Sequence, residues 1–274
     1  MSAGPPTLLV DNGSLQPAAT LALRDLAAKL SLRIEQPVEA VSLLHSSGIA
    51  PELLGGKPAE ILFPALERRL AEGVNEFVVV PLFFGPSQAL TVYLPDNVAR
   101  LQKKFPALRV TQAPHLHTTN DDRLARILAD QVRAEIDPLD TAAVRVALVD
   151  HGSPVELVTG VRNELAVQLA EQLGPLVAMV APCSMERRPD PAYDFCDPLL
   201  GKLLATPPWS AGRVIVAMQF LLPGRHAGPN GDVAEICHAA ETTHPSLKTT
   251  MTKLVAEHPL LVEILADRWQ ATLR

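Results

Sequence analysis

Val149-Asp150-His151-Gly152-Ser153-Pro154 closes an apolar run made by Val146, Ala147, Leu148 and Val149. Such a run, delivering a polar residue to a glycine turn, reads as a strand of an open α/β sheet ending at its carboxyl edge, where these sheets present ligand-binding groups. The same phrase occurs once before, as Leu8-Leu9-Val10-Asp11-Asn12-Gly13-Ser14, with Asn12 standing where His151 stands. The chain therefore reads as two copies of one unit, only one of which keeps the histidine.

Further matches extend the repeat. Phe77-Val78-Val79-Val80-Pro81 answers Val214-Ile215-Val216-Ala217-Met218, and Ile127-Leu128-Ala129-Asp130 recurs as Ile264-Leu265-Ala266-Asp267. In the first copy, periodicity predicts strands at 7–11, 38–44, 76–84 and 108–113, alternating with helices at 17–31, 58–72, 93–104 and 121–135. The second copy predicts strands at 144–150, 176–182, 213–222 and 247–252, with helices at 155–172, 194–205, 231–242 and 259–272. Strands alternating with helices give a parallel sheet covered on both faces. The expected fold is thus α/β, with two tandem, similar doubly wound parallel-sheet domains of flavodoxin-like type. They divide as 1–138 and 139–274, at the turn Asp137-Pro138-Leu139-Asp140.

Composition narrows the function classes. With 274 residues and 47% hydrophobic content, the chain can bury two ordinary cores. No apolar run approaches the roughly 18 residues of a membrane span, and no basic segment precedes an apolar core at the N-terminus, so a cytoplasmic location without membrane partners is expected. Net charge is −6 and the Lys and Arg residues are dispersed, which argues against a nucleic-acid partner. The cysteines Cys183, Cys196 and Cys237 form no CxxC pair and read as core thiols, as Met185 and Met218 read as core.

Three successive strand ends of the second copy carry chemistry. The first ends at His151; the second runs into Pro182-Cys183-Ser184-Met185-Glu186-Arg187-Arg188; the third opens into Leu222-Pro223-Gly224-Arg225-His226-Ala227-Gly228-Pro229-Asn230-Gly231-Asp232. Two imidazoles and a carboxylate converging on one rim suit proton transfer near neutral pH or a divalent ion in passage. The remaining histidines, His115, His117, His238, His244 and His258, have no matching partners and read as packing or surface residues.

His-Gly-Ser after the first strand, an acidic residue after the second and Pro-Gly-Arg-His-Ala-Gly-Pro-Asn-Gly-Asp after the third resemble the class II tetrapyrrole chelatases of the CbiX/SirB type, over both halves. The resemblance implies a chelatase-like doubly wound fold and ATP-independent insertion of cobalt, iron or nickel into sirohydrochlorin or a related macrocycle. It further implies that His151 and His226 contact the metal and accept protons, with Glu186 as their carboxylate partner and a third potential metal ligand. The metal is a substrate and no permanently bound cofactor is expected. The first half departs from the pattern, since Asn12 replaces the histidine and Gly85-Pro86-Ser87-Gln88-Ala89-Leu90 has none; His45 is the one candidate relic. A half so altered is expected to serve as scaffold.

The chemistry accounts for these residue types. Inserting M²⁺ into a free-base macrocycle strips water from the ion and removes two pyrrole protons, both tasks for neutral imidazoles beside a carboxylate. Sirohydrochlorin bears carboxylates, for which Arg187, Arg188 and Arg225 are counterparts, with Ser153 and Gly228 as further substrate-binding positions. A non-catalytic tetrapyrrole or metal carrier on the same fold is the alternative. A nucleotide enzyme is disfavoured because no GxGxxG follows either first strand. Monomer and homodimer are both compatible with a fused pair of domains.

Overall fold

A computed structural model of the chain describes residues 4–137, 144–228 and 230–273. The first sheet contains β1 (Thr7–Asp11), β2 (Val38–Ser42), β3 (Glu76–Pro81) and β4 (Arg109–Gln112), all parallel, in the order β2-β1-β3-β4. The second contains β5 (Arg145–Asp150), β6 (Met179–Ser184), β7 (Gly212–Met218) and β8 (Leu247–Met251), parallel and in the equivalent order β6-β5-β7-β8. Each central strand is apolar and buried throughout its middle, as a strand covered on both faces must be. In both sheets the strand order reverses beside the first strand, so the carboxyl ends of β1 and β3, and of β5 and β7, flank the crevice where such folds bind ligands. The expected α/β class and duplication are therefore present.

The helices are α1 (Pro17–Ile34), α2 (Leu62–Ala71), α3 (Leu94–Lys104), α4 (Arg123–Ala134), α5 (Glu156–Leu173), α6 (Leu200–Leu204), α7 (Asp232–Thr243) and α8 (Leu260–Gln270). α1 and α5 are each 18 residues long and follow the two matching glycine turns. Prediction and structure differ most at 194–205, where one helix is replaced by a 3-10 segment at Pro191–Cys196 and the short α6. Pro198 interrupts that stretch, and a proline cannot donate within a continuous helix.

The compact units also differ from a cut at 138. One comprises residues 1–118 with 259–274, and the other 119–258. The last helix of each repeat therefore belongs to the unit built on the other repeat's sheet. α4 packs on α5 and β7, where Gln131 Nε2 donates to Leu254 O at 2.9 Å and Arg133 Nη2 to Gln172 O at 2.6 Å. α8 packs on α1 and β3, with Trp269 Nε1 donating to Thr7 Oγ1 at 3.2 Å and Arg268 Nη2 to Leu116 O at 2.6 Å. The two Ile-Leu-Ala-Asp segments explain why exchange is sterically possible. Ile127, Leu128 and Ala129 are buried in one unit as Ile264, Leu265 and Ala266 are in the other, so the two helices offer the same apolar knobs. The expected turn at 138–140 lies outside the described residues.

Candidate active site

The second unit gathers its polar rim around one glycine. Gly152 has φ +94°, and a Cβ added there would lie 1.9 Å from the carbonyl oxygen of Glu186. Only glycine admits both the backbone conformation and that close approach. Met185 N then donates to Asp150 O at 2.7 Å and Glu186 N to His151 O at 3.2 Å, tying the end of β5 to the end of β6. His151 Nε2 and Glu186 Oε1 are consequently 3.4 Å apart, with 48% and 60% of their side chains exposed. Below them, burial pushes the Asp150 carboxyl above its ordinary range, opposed by its hydrogen bond from Ser184 and by the Arg162 charge.

The loop after β7 brings His226 to the same place. Asp232 N donates to Arg225 O at 3.3 Å, Val233 N to His226 O at 3.3 Å and Gly224 N to Ala227 O at 3.1 Å, folding the loop onto the start of α7. A Cβ on Gly231 would lie 2.8 Å from the His226 carbonyl, so this glycine is required by close packing. The imidazoles of His151 and His226 meet edge to face, with centroids 4.7 Å apart and planes inclined at 68°. Three residues proposed from sequence, spread over 76 positions from His151 to His226, are thus adjacent in space.

Hydrogen bonding orients both rings. His226 Nδ1 lies 2.5 Å from Asp232 Oδ2, and His151 Nδ1 lies 2.9 Å from Gly152 O. A carbonyl can only accept, so Nδ1 of His151 carries a proton; an ionised Asp232 places the proton of neutral His226 on Nδ1 likewise. The Nε2 lone pairs of both neutral rings are then free for a proton or a metal ion. Among the described residues, however, no group of three or more His, Cys, Asp or Glu side chains could hold a metal ion as it stands. The rim is therefore open rather than a closed three-ligand cage, since Asp232 anchors His226 while His151 and Glu186 project into solvent.

Asp232, the partner of His226, is the rim residue that sequence reasoning passed over, although it closes the quoted third-strand motif. Its pairing depends on the loop folding back across six residues, which spacing alone does not show. A carboxylate on the far ring nitrogen fixes the tautomer and the orientation of the ring. Asp232→Asn should therefore lower the metal insertion expected from the resemblance about 10- to 100-fold with little loss of folded protein. The check is a comparison of kcat and thermal midpoint with the wild type, and an unchanged kcat would remove Asp232 from the site.

The proposed substrate-binding residues separate into two groups. Arg187 is committed internally, to Asp194 at 2.8 Å and Asp197 at 3.2 Å, and only 15% of its side chain is exposed. Ser153 Oγ accepts from Val155 N at 3.1 Å and so forms the turn into α5. Gly228 contributes backbone to the loop, its carbonyl accepting from Gly231 N at 3.2 Å. Arg188 lies over the Tyr193 ring at 5.2 Å and donates to its hydroxyl at 3.0 Å, while Arg225 is largely exposed, with Nε 3.7 Å from Asp232 Oδ2. Arg188 and Arg225 present guanidinium groups to solvent; Arg187 shapes the loop that carries Arg188.

The equivalent rim of the first unit keeps the backbone and loses the chemistry. Gly13 has φ +89°, and a Cβ there would meet Leu44 O at 1.8 Å, so Leu44 occupies the place of Glu186. His45 is one residue further along, exposed, and begins a 3-10 turn at Ser46–Gly48 with φ +66°. It therefore stands one position beyond the one that matches Glu186. The third loop leads into a π-helical turn at Ala89–Tyr93. A cavity of about 640 Å³ lies here, walled by residues including Asn12, Leu44, Gln88, Tyr93, Asp96 and Arg100, with no imidazole among them. Cys183, Cys196 and Cys237 are free and buried, as core thiols should be.

A duplicated doubly wound α/β protein with one imidazole-and-carboxylate rim is the class that fold and site define together. Residues 6–135 and 145–272 each match the CbiX family model, and the chain belongs to that family, the class II tetrapyrrole chelatases, in its two-copy form. Similar solved structures include SirB from Bacillus subtilis with Fe³⁺, at 17% identity and TM-score 0.70, covering 98% of this chain and 95% of that one. The sirohydrochlorin chelatase SirB from Bacillus subtilis subspecies spizizenii, in complex with cobalt, matches at 15% identity and TM-score 0.67, covering 98% of this chain and 94% of that one. CbiX, described as the terminal enzyme for biosynthesis of siroheme in denitrifying bacteria, matches at 18% identity and TM-score 0.60, covering 97% and 98%. No curated protein sequence matches. No described helix is long and apolar enough to cross a membrane.

Proposed function

We propose that this protein inserts a divalent metal ion, Co²⁺ or Fe²⁺ with Ni²⁺ as a further substrate, into sirohydrochlorin or a related tetrapyrrole without ATP. The carrying observation is the pair of imidazoles 4.7 Å apart, one beside Glu186 and the other oriented by Asp232. His151 Nε2 and Glu186 replace water on the arriving ion, and the two Nε2 lone pairs accept the two pyrrole protons as M²⁺ enters the ring. Two protons leave for one dication, so charge balances on the macrocycle. The open rim suits release of the ion, which a closed cage would retain. Arg188 and Arg225 meet carboxylates on the macrocycle edge. The SirB structures with iron and cobalt support the class of metal.

Anaerobic absorbance spectroscopy of sirohydrochlorin with excess Co²⁺ or Fe²⁺ and catalytic amounts of protein tests this reading. Conversion of many equivalents of macrocycle per protein is expected. Conversion stopping at one equivalent, or binding without conversion, would instead make the protein a carrier. The first-unit rim lacks a proton acceptor, so Asn12→Ala should leave turnover within a few-fold of wild type.

A further inference from the structure

α5 carries the largest fully buried side chain in the described structure, Arg162, which is 1% exposed. Its Nη1 donates to Ser184 Oγ at 2.5 Å and to Cys196 O at 2.8 Å, and Nε and Nη2 fork onto Asn163 Oδ1 at 3.1 and 2.9 Å. Ser184 Oγ donates in turn to Asp150 Oδ1 at 2.6 Å, and the same carboxylate oxygen accepts Gly152 N at 3.1 Å. Arg162 Nη1 is 3.8 Å from that oxygen, close enough for an ion pair through the shared serine. A buried chain of polar contacts therefore runs from α5, through the end of β6, to the peptide that turns the chain after His151.

The first unit provides an internal control. β1 pairs Asp11 with Ser42 as β5 pairs Asp150 with Ser184, and the glycine turns match in φ and in their close approach to the neighbouring strand end. Residue seven of α5 is Arg162; residue seven of the equally long α1 is Leu23, also 1% exposed. Asp11 Oδ1 there is buried and has no hydrogen-bond partner. The turn thus folds over leucine where its first residue is Asn12, and stands on arginine where that residue is His151. A buried cation is costly to desolvate, so its presence in one copy alone calls for a reason other than folding the turn.

We propose that Arg162 is a positioning residue for metal insertion, holding the Asp150–Gly152 turn so that the His151 ring stays in register with Glu186 and His226. This rests on the function proposed above. It requires no contact between Arg162 and either substrate; the effect passes through Ser184 and Asp150 to the N–H of Gly152, the residue whose own carbonyl accepts from His151 Nδ1 at 2.9 Å.

The test uses the full chain carrying Arg162→Leu, the residue of the first unit, beside Arg162→Lys and the double variant Arg162→Leu/Asp150→Asn, which removes the buried charge left behind. Arg162→Leu should lower kcat for cobalt insertion about 10- to 100-fold with KM for sirohydrochlorin within about 3-fold, and Arg162→Lys should recover part of it. The double variant should regain thermal stability without regaining kcat. Two-dimensional ¹H–¹⁵N spectra of the histidine rings, with His151 assigned from His151→Ala, should show its single sharp signals broadened or doubled in Arg162→Leu. Wild-type kcat in Arg162→Leu, full recovery of kcat in the double variant, or unchanged His151 signals would overturn the proposal. If the wild type itself inserts no metal, the proposed function fails, while the ring signals still decide the role of Arg162.

Discussion

His151→Ala and His226→Ala should each lower the rate of metal insertion about 100- to 10,000-fold, the range associated with loss of a positioned proton acceptor. The thermal midpoint should move by no more than about 2 °C, since half-exposed rim side chains contribute little to stability. The rings touch edge to face, and in the proposed mechanism they take up the two protons of a single insertion, so they are expected to act as a unit. The double variant should therefore be scarcely slower than the worse single variant. Steady-state cobalt insertion and thermal melts on the three purified proteins decide this. Wild-type rates in either single variant would remove that histidine from the site, and multiplicative losses in the double variant would show two independent roles.

Gly152→Ala should be more damaging than its one methyl group suggests. At φ +94° an L-residue costs about 1–3 kcal/mol, and the added Cβ meets a backbone carbonyl at 1.9 Å, which cannot rotate away as a side chain would. The ends of β5 and β6 must separate, breaking the Glu186 N to His151 O bond and the registry of His151 with Glu186. A loss of about 2–3 kcal/mol, or about 4–12 °C in midpoint, is expected together with nearly complete loss of insertion. Gly13→Ala makes the same clash with Leu44 O at 1.8 Å and should cost similar stability, yet it disturbs neither His151 nor His226. Insertion per folded molecule should survive in Gly13→Ala. Equal activity losses in the two variants would mean that the turn matters for folding alone.

The histidines at the ends of β5 and after β7 were legible because an apolar run ending in a glycine turn is a local signal, repeated in a degraded form at Asn12. The exchange of α4 and α8 was not. Ile-Leu-Ala-Asp reads identically in both helices, and an amphipathic helix with the same knobs fits either sheet; chain order alone favours the wrong partner. Arg187 and Arg188 show the same limit at side-chain scale. As neighbours in sequence they are equivalent, yet Asp194 and Asp197 occupy the first and leave the second stacked on Tyr193 at the surface.

By itself the sequence determined the parallel α/β class, the duplication and the half that carries two histidines at its strand ends, since each depends on short-range periodicity and on residue types at strand ends. Tertiary structure alone decided which helix covers which sheet, that His226 leans on Asp232, and that Arg162 stands beneath His151. Those pairings join residues whose separation in the chain carries no information about distance, and they are selected by burial of charge and by the few angstroms allowed between backbone segments.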